Sequence, residues 1–364
     1  MAKKRHSHYS GIGGQAVLEG VMMKNKEKYA VAVRKPNGEI AVELENHQDI
    51  GGKGGFKNLP FIRGIFNFVD SMVLGTKCLN YSAEFYEDEE EEETKFDKFL
   101  NKITGGKAEK VLSAIVVIFS VILAVGIFIV LPYWITSFFK SYIRSNVLMT
   151  IIEGCIRILI FLLYVVGISA MKDIKRLYMY HGAEHKCINY IERGKPLTVR
   201  NVMRSSRLHK RCGTSFMFFV LFVSIILFFF IRVSNPVLKI VLRILLIPVI
   251  AGISYELIRL AGRSDNIIVK ILSAPGMAIQ RITTKEPTKE MIEVGIASVE
   301  AVFDWKQFLM DEFGYDRDYF TDETGEDDTD EADEALDEDP DVTDEAWNED
   351  SDVTDETVYE GDKA

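Results

Sequence analysis

The chain has 364 residues, with 54 acidic against 43 basic side chains and a formal net charge of −11. That average conceals a division: from Thr321 onward about 22 Asp and Glu face Lys363 alone, roughly −21, so the remaining body carries roughly +10. Four cysteines without the spacing of a disulfide framework, and no apolar h-region behind the basic start, argue against a disulfide-stapled secreted domain.

Taken in chain order, residues 1–58 read as a cytoplasmic, β-rich segment. Gln15–Met23 and Lys28–Glu45 have strand character, and Pro36-Asn37-Gly38 between Val31-Ala-Val33 and Ile40-Ala-Val42 is a hairpin signal. Gly51-Gly-Lys-Gly-Gly55 interrupts regular structure. Within 59–110, Pro60 opens an amphipathic helix whose Phe61, Ile62, Ile65, Phe66, Val69, Met72 and Val73 form one apolar face suited to lie on the bilayer or under the spans. The acidic run Glu87–Glu93 reads as a solvated linker.

Four stretches have the apolar length to cross a bilayer: Val111–Pro132 and Val147–Ala170 in the region 111–170, then Thr214–Ile231 and Val237–Ile258 in the region 214–258. Glu153 and Arg157 in the second, and Lys239, Arg243 and Glu256 in the fourth, require a partner or a route to the interface. Eleven Lys and Arg lie between Met171 and Gly213, against two between Tyr133 and Asn146 and one between Arg232 and Pro236, so the segment 171–213 is expected in the cytoplasm together with both termini. That segment predicts a helix from Lys172 to Arg193, stopped at Gly194, and another from an N-cap at Thr198 to about Arg211. In 259–320 a helix follows Thr288 and reaches about Trp305, and 321–364 has the composition of a disordered acidic tail. The expected fold class is an α-helical polytopic membrane protein: four transmembrane helices, cytoplasmic amphipathic helices and a small N-terminal antiparallel β-sheet.

Chemistry concentrates in 171–213. His181-Gly-Ala-Glu184-His185 is H-x-x-E-H, which on a helix puts two imidazoles four apart on one face with a carboxylate beside them. His209 and Cys212 add a second pair three apart, and Glu256 at the inner end of the last span can add a carboxylate. The expected metal ligands are therefore His181, His185, His209, Cys212 and Glu256, around Zn²⁺, with Glu184 as the catalytic base. Cys187 is the weaker donor, turned off that face. Gly11-Ile-Gly-Gly-Gln15 fails as a phosphate loop, because no Gly-Lys-Ser/Thr follows, and reads as a glycine turn entering an edge strand, with Gln15 and Glu19 left as polar contacts. Arg200, Arg204, Arg207, Lys210 and Arg211 match lipid phosphates better than nucleic acid, since no aromatic residues interleave them.

The motifs GGQAVLEGVMM, LPFIRG, HGAEHK, LHKRCGTSF, ISYELIRLAGR and APGMAIQRITTKEPT, between Gly11 and Trp305, together resemble the YqhQ-like family, grouped as domain of unknown function 1385. The resemblance implies a multi-pass protein of the bacterial inner membrane with a metal-dependent activity of unassigned reaction, and it carries over to His181, Glu184, His185, His209, Cys212 and Glu256. Two functions fit: a metal-dependent hydrolase acting on a membrane peptide or a lipid-linked group, or a membrane assembly protein with a structural zinc. Too few polar residues line the spans for a transport path. Partners are expected among membrane lipids and membrane proteins or peptides, not nucleic acid.

Overall fold

A computed structural model of the chain describes residues 8–48, 50, 59–86, 108–231, 233, 235–262 and 266–320. The Gly51–Gly55 break, the Glu87–Glu93 run and the acidic tail lie outside the described residues. Four strands, β1 (Ile12–Val17), β2 (Gly20–Asn25), β3 (Lys28–Arg34) and β4 (Ile40–Asn46), form one antiparallel sheet in sequence order. Gln15–Met23, expected as a continuous strand, is split by a two-residue turn at Leu18–Glu19 that pairs Val17 with Gly20. Apolar residues continue across that turn, and the residue in the left-handed region is Glu19 (φ 49°) rather than a glycine, so nothing in composition marks it. The turn expected at Pro36-Asn37-Gly38 is present, with Gly38 at φ 88° and its N–H donating to the Lys35 carbonyl at 2.9 Å.

The helices are α1 (Ile62–Ala83), α2 (Ala108–Val125), α3 (Leu131–Ser137), α4 (Asn146–Ser169), α5 (Lys172–Glu192) and α6 (Val199–Met203). They continue with α7 (Gly213–Phe229), α8 (Pro236–Leu245), α9 (Ile247–Ala261), α10 (Ile267–Thr283), α11 (Lys289–Val302) and α12 (Trp305–Phe313). The described residues up to Gly314 form one compact unit, and a 3₁₀ turn at Arg317–Phe320 belongs to a second. Helices α10 and α12 have no counterpart among the expected elements.

Period-2 alternation gives the sheet two apolar faces. Val17, Met22, Tyr29, Val31 and Val33 pack on Leu74 and Cys78 of α1. Val21, Met23, Ala30 and Ala32, all buried, lie on the other face, where α11 and α5 cover them and Ser298 Oγ donates to the Ala30 carbonyl at 3.1 Å. Helix α1 then reaches past the sheet to α9. A Cβ on its Gly64 would lie 2.7 Å from Tyr255 Cβ and 3.0 Å from Gly252 Cα, so the two helices meet at nearly backbone distance. Arg63 pairs with Glu256 there.

Among the described residues, two helical stretches are long and apolar enough to cross a membrane, Ile115–Ser141 and Val147–Ser169, and α8 with α9 forms a pair bent by 42° that would count as a third if it is one broken span. The expectation of four transmembrane helices is thus met only in part: α7 is apolar throughout but has 17 residues. The first span runs beyond the expected Pro132, through a π-helical turn at Gly126–Val130 and the short α3. Arg157 of α4 donates through Nε to the Phe128 carbonyl inside that turn (3.1 Å), an acceptor whose i+4 partner would be Pro132, which has no N–H to give. Arg157 also binds Glu153 (2.9 Å), and Arg243 of α8 binds the same carboxylate (2.6 and 2.8 Å), while both guanidiniums lie over the Phe228 ring. All three charged side chains are buried, and the triad joins α4, α7, α8 and the π-helical turn that follows α2.

Leu74→Ala should destabilise the sheet–α1 unit by about 2–4 kcal/mol, because the side chain is buried against the apolar face of the sheet. Met72→Ala, on the exposed side of the same helix, should change stability by less than about 0.5 kcal/mol. Thermal unfolding of the two variants in detergent checks the contrast.

Candidate functional site

Helix α5 presents His181, Glu184 and His185 at i, i+3 and i+4, on one face. Glu184 and His185 are buried, whereas the His181 side chain is 19% exposed and forms the open side of the site. The chain beyond α6 is held against this helix by the helix's own polar side chains. Lys186 Nζ donates to the Met203 carbonyl (2.7 Å), Asn189 Nδ2 to those of Ser206 (2.7 Å) and Leu208 (2.9 Å), and His185 Nδ1 to that of Arg207 (2.5 Å). The helix expected from Thr198 to about Arg211 therefore ends at Met203: carbonyls that would continue it are bonded to α5 instead.

These bonds fix the tautomers. His181 Nδ1 lies 3.0 Å from the Thr283 carbonyl and His185 Nδ1 2.5 Å from that of Arg207. A carbonyl only accepts, so both Nδ1 atoms carry hydrogen, and in the neutral form of each ring Nε2 is the nitrogen with the lone pair. His181 Nε2 is 3.2 Å from Cys212 Sγ, and the sulfur, at the N-cap of α7, accepts the Thr214 N–H at 3.3 Å. One donor atom from each of His181, His185 and Cys212 falls within 4.8 Å of the other two. Zinc bound at ~2.0–2.3 Å needs donors spaced at roughly 3.3–3.8 Å, so small side-chain shifts would bring the trio into range.

Glu184 Oε2 stands 3.8 Å from His181 Nε2 and 3.7 Å from His185 Nε2, too far for hydrogen bonds to either. Burial pushes its carboxyl up to about 7, opposed by charge on His181 and by a hydrogen bond from the Gly14 N–H. Gly14, in β1, belongs to the glycine stretch that reads from sequence as a turn entering an edge strand, with no link to Glu184. A Cβ there would come 2.6 Å from Glu184 Cγ and 2.9 Å from the Met22 carbonyl, so the glycine is needed for the strand to approach the carboxylate. The available signal was a glycine pair inside a strand pattern, which marks close backbone approach without naming what approaches.

The other expected site residues divide. His209 is near but outside the three-donor group: its ring lies 5.5 Å from that of His185. Its Nδ1 faces Asn189 Oδ1 (2.7 Å), and its backbone is clamped by Gln280, which accepts from His209 N (2.9 Å) and donates to His209 O (2.8 Å). Burial, reinforced by His185 and Arg211, pushes the His209 imidazole well below its ordinary range. Glu256 is not brought to the cluster. It takes a two-pronged bond from Arg63 and a 3.3 Å bond from the Phe61 N–H, satisfying its charge within the α1–α9 contact. Cys187 is buried with its sulfur toward Gly295 of α11, and burial pushes its thiol up. Gln15 packs on Gly75 of α1, and Glu19 pairs with Arg176 and Tyr180. Within the basic cluster, Arg211 binds Glu192 at 2.5 Å and Arg207 lies 3.7 Å from Glu286.

A family model described as protein of unknown function, DUF1385, matches residues 59–305, which include all six expected site residues. The chain belongs to the DUF1385 family. The uncharacterized protein YqhQ of Bacillus subtilis is 34% identical over 296 residues, covering 81% of this chain and 92% of that relative. No solved structure matches. The match begins at residue 59, so β1 and Gly14, against which Glu184 rests, lie outside the matched residues.

Gly13 and Gly14 provide a matched test of that contact. Gly14→Ala should destabilise the protein by about 1–3 kcal/mol through overpacking at Glu184, whereas at Gly13 an added Cβ meets nothing within 4 Å and Gly13→Ala should stay within about 0.5 kcal/mol. Equal melting temperatures for the two variants would contradict the close approach.

Proposed function

We propose that this protein is a four-span membrane protein of the bacterial inner membrane, with both termini in the cytoplasm and a zinc-dependent hydrolytic site at the cytoplasmic face. The observation that carries the metal reading is that two imidazoles, each with Nδ1 committed to a backbone carbonyl, gather with a cysteine sulfur so that one donor atom from each of the three lies within 4.8 Å of the others. Histidine ligands are held this way in metal sites, where the outer hydrogen bond sets the tautomer. His181, His185 and Cys212 would hold the ion, and zinc supplies Lewis acidity and an acidified water when bound.

Glu184 is the proton acceptor. Its carboxylate lies beside both imidazoles, and its pKa of about 7 suits general-base work near neutrality. Taking a proton at Oε2, it leaves the oxygen of water to attack a carbonyl carbon, and the same proton is returned to the leaving group. The membrane placement is supported by the two long apolar helices, and by the apolar side chains of Ile115–Leu123 that remain exposed outside a bilayer. Counting α7 and the bent α8–α9 pair as spans places residues 171–213 and both chain ends on the Lys- and Arg-rich side. A structural zinc is the second reading, favoured by the near-complete burial of His185 and Cys212.

The purified protein should bind about one zinc per chain. His181→Ala, His185→Ala and Cys212→Ser should each lose it, while Glu184→Gln and Glu256→Gln should keep it. Elemental analysis after detergent purification decides this. Absence of metal from wild type sinks both readings, and metal retained with Glu184→Gln fully active in a complementation assay leaves only the structural one. Reporters fused after Lys95, Pro196 and Trp305 should be cytoplasmic and those near Ser141 and Asn235 external; an external signal at Pro196 would overturn the orientation.

A further inference from the structure

The hydrolase reading names no bond to be cleaved, and the sheet beside the site narrows the choice. β1 is an outer strand, paired with β2 alone. Because the two-residue turn at Leu18–Glu19 is closed by Val17 and Gly20, that pair exchanges both hydrogen bonds, and strict alternation assigns Gln15 and Gly13 to β2 as well. Gly14 and Ala16 therefore turn their backbone N–H and C=O groups to the open edge. The hydrogen bond from Gly14 N–H to Glu184 agrees with this phase, since an amide aimed at β2 could not make it. Gly13 and Gly14 are both exposed, and neither has a side chain to obstruct an approaching backbone.

Two further observations bear on what would occupy this edge. The carboxylate proposed as base is itself bonded to the edge, and it lies 3.7 and 3.8 Å from the two imidazoles, so a chain aligned on β1 passes within reach of the reacting groups. On the opposite face of the sheet, Gln15 packs on Gly75 of α1. Met72 and Phe68, three and seven residues earlier on the same helical face, are exposed apolar side chains. A strand added here would meet backbone amides along its length and apolar surface with alternate side chains. An acyl chain or a sugar has no repeating N–H and C=O to match the edge. An extended polypeptide does.

Building on the hydrolase reading, we propose that the substrate is a polypeptide segment that adds as a strand to the open edge of β1, pairing with the Gly14 carbonyl and the Ala16 amide, and is hydrolysed at the adjoining His–His–Cys site. In that step water adds to the peptide carbonyl carbon and Glu184 takes one of its protons. The C–N bond then breaks, and the proton passes to the leaving nitrogen, giving a carboxylic acid and an amine with no oxidant or reductant. The apolar face of α1 favours segments with an apolar residue at every second position.

The test uses the full-length, zinc-loaded protein in detergent and two probes: a pool of quenched fluorescent octapeptides with alternating apolar residues, and p-nitrophenyl acetate. The pool should be cleaved, with Glu184→Gln lowering the rate by about 100-fold or more. N-methylation of the backbone amides in one alternate register should raise KM by roughly tenfold or more, and in the other register should change it little, since only one set of N–H groups faces β1. Ala16→Pro should likewise raise KM for the peptides, and the methylated substrates decide the matter if that variant does not fold. Equal effects of the two methylation registers would overturn strand addition. Hydrolysis of the ester with no cleavage of the peptides would overturn the polypeptide substrate and leave the hydrolase standing. If neither probe is cleaved by protein that holds zinc, the hydrolase reading falls, and the peptide proposal with it.

Discussion

The site depends on the way α5 uses its hydrogen-bonding side chains. His185, Lys186 and Asn189 all donate to backbone carbonyls of the segment between Met203 and Leu208, and through these bonds one helix determines the path of the chain up to the start of α7. Buried carbonyls without partners would each cost about 1–3 kcal/mol, so the irregular segment is stable only while α5 supplies the donors. Cys212 reaches His181 because of that path. The arrangement is reciprocal: the carbonyls that the loop gives up are those that orient the imidazole.

Three layers meet at this point. The start of the apolar α7 contributes Cys212, and α10 contributes the Thr283 carbonyl and Gln280. The sheet contributes Gly14, and α5 lies between them. A site assembled from parts so far apart in sequence has few groups free to relax, and Glu184 shows the consequence. Its carboxyl is raised by burial and restrained by a strand amide and by His181, a compromise between opposing influences that suits proton transfer better than either extreme.

Much of this was legible from sequence, for reasons that can be named. The H-x-x-E-H spacing places two imidazoles on one face of any helix, and Gly194 at φ 74° ends α5 where the left-handed cap was expected. The antiparallel sheet follows from its hairpin signal. What failed did so where the partner was distant. Glu256 was expected at the metal because a carboxylate at that depth needs a counter-charge, and the inference was sound except that Arg63, in a helix nearly two hundred residues earlier, supplies it. The stretch beyond Met203 has helical composition, and only the donors on α5 divert it. Gly14 looked like turn chemistry because the residue that needs its missing side chain, Glu184, belongs to another element.

The Glu153–Arg157–Arg243 triad bears on the order in which the protein is made. Glu153 and Arg157 lie four apart on α4, so that helix leaves the ribosome with its charges already matched and can enter the bilayer as a neutral unit. Helix α8 emerges much later with Arg243, whose side chain has no counter-charge on its own helix, and an isolated arginine at the centre of a span costs on the order of 2.5–3.5 kcal/mol to insert. Glu153 can accept it because its second oxygen also faces α8. If α8 and α9 form one broken span, its insertion depends on α4 being already in place, and a ribosome stalled before Pro236 would leave α4 holding an open carboxylate for a helix not yet synthesised.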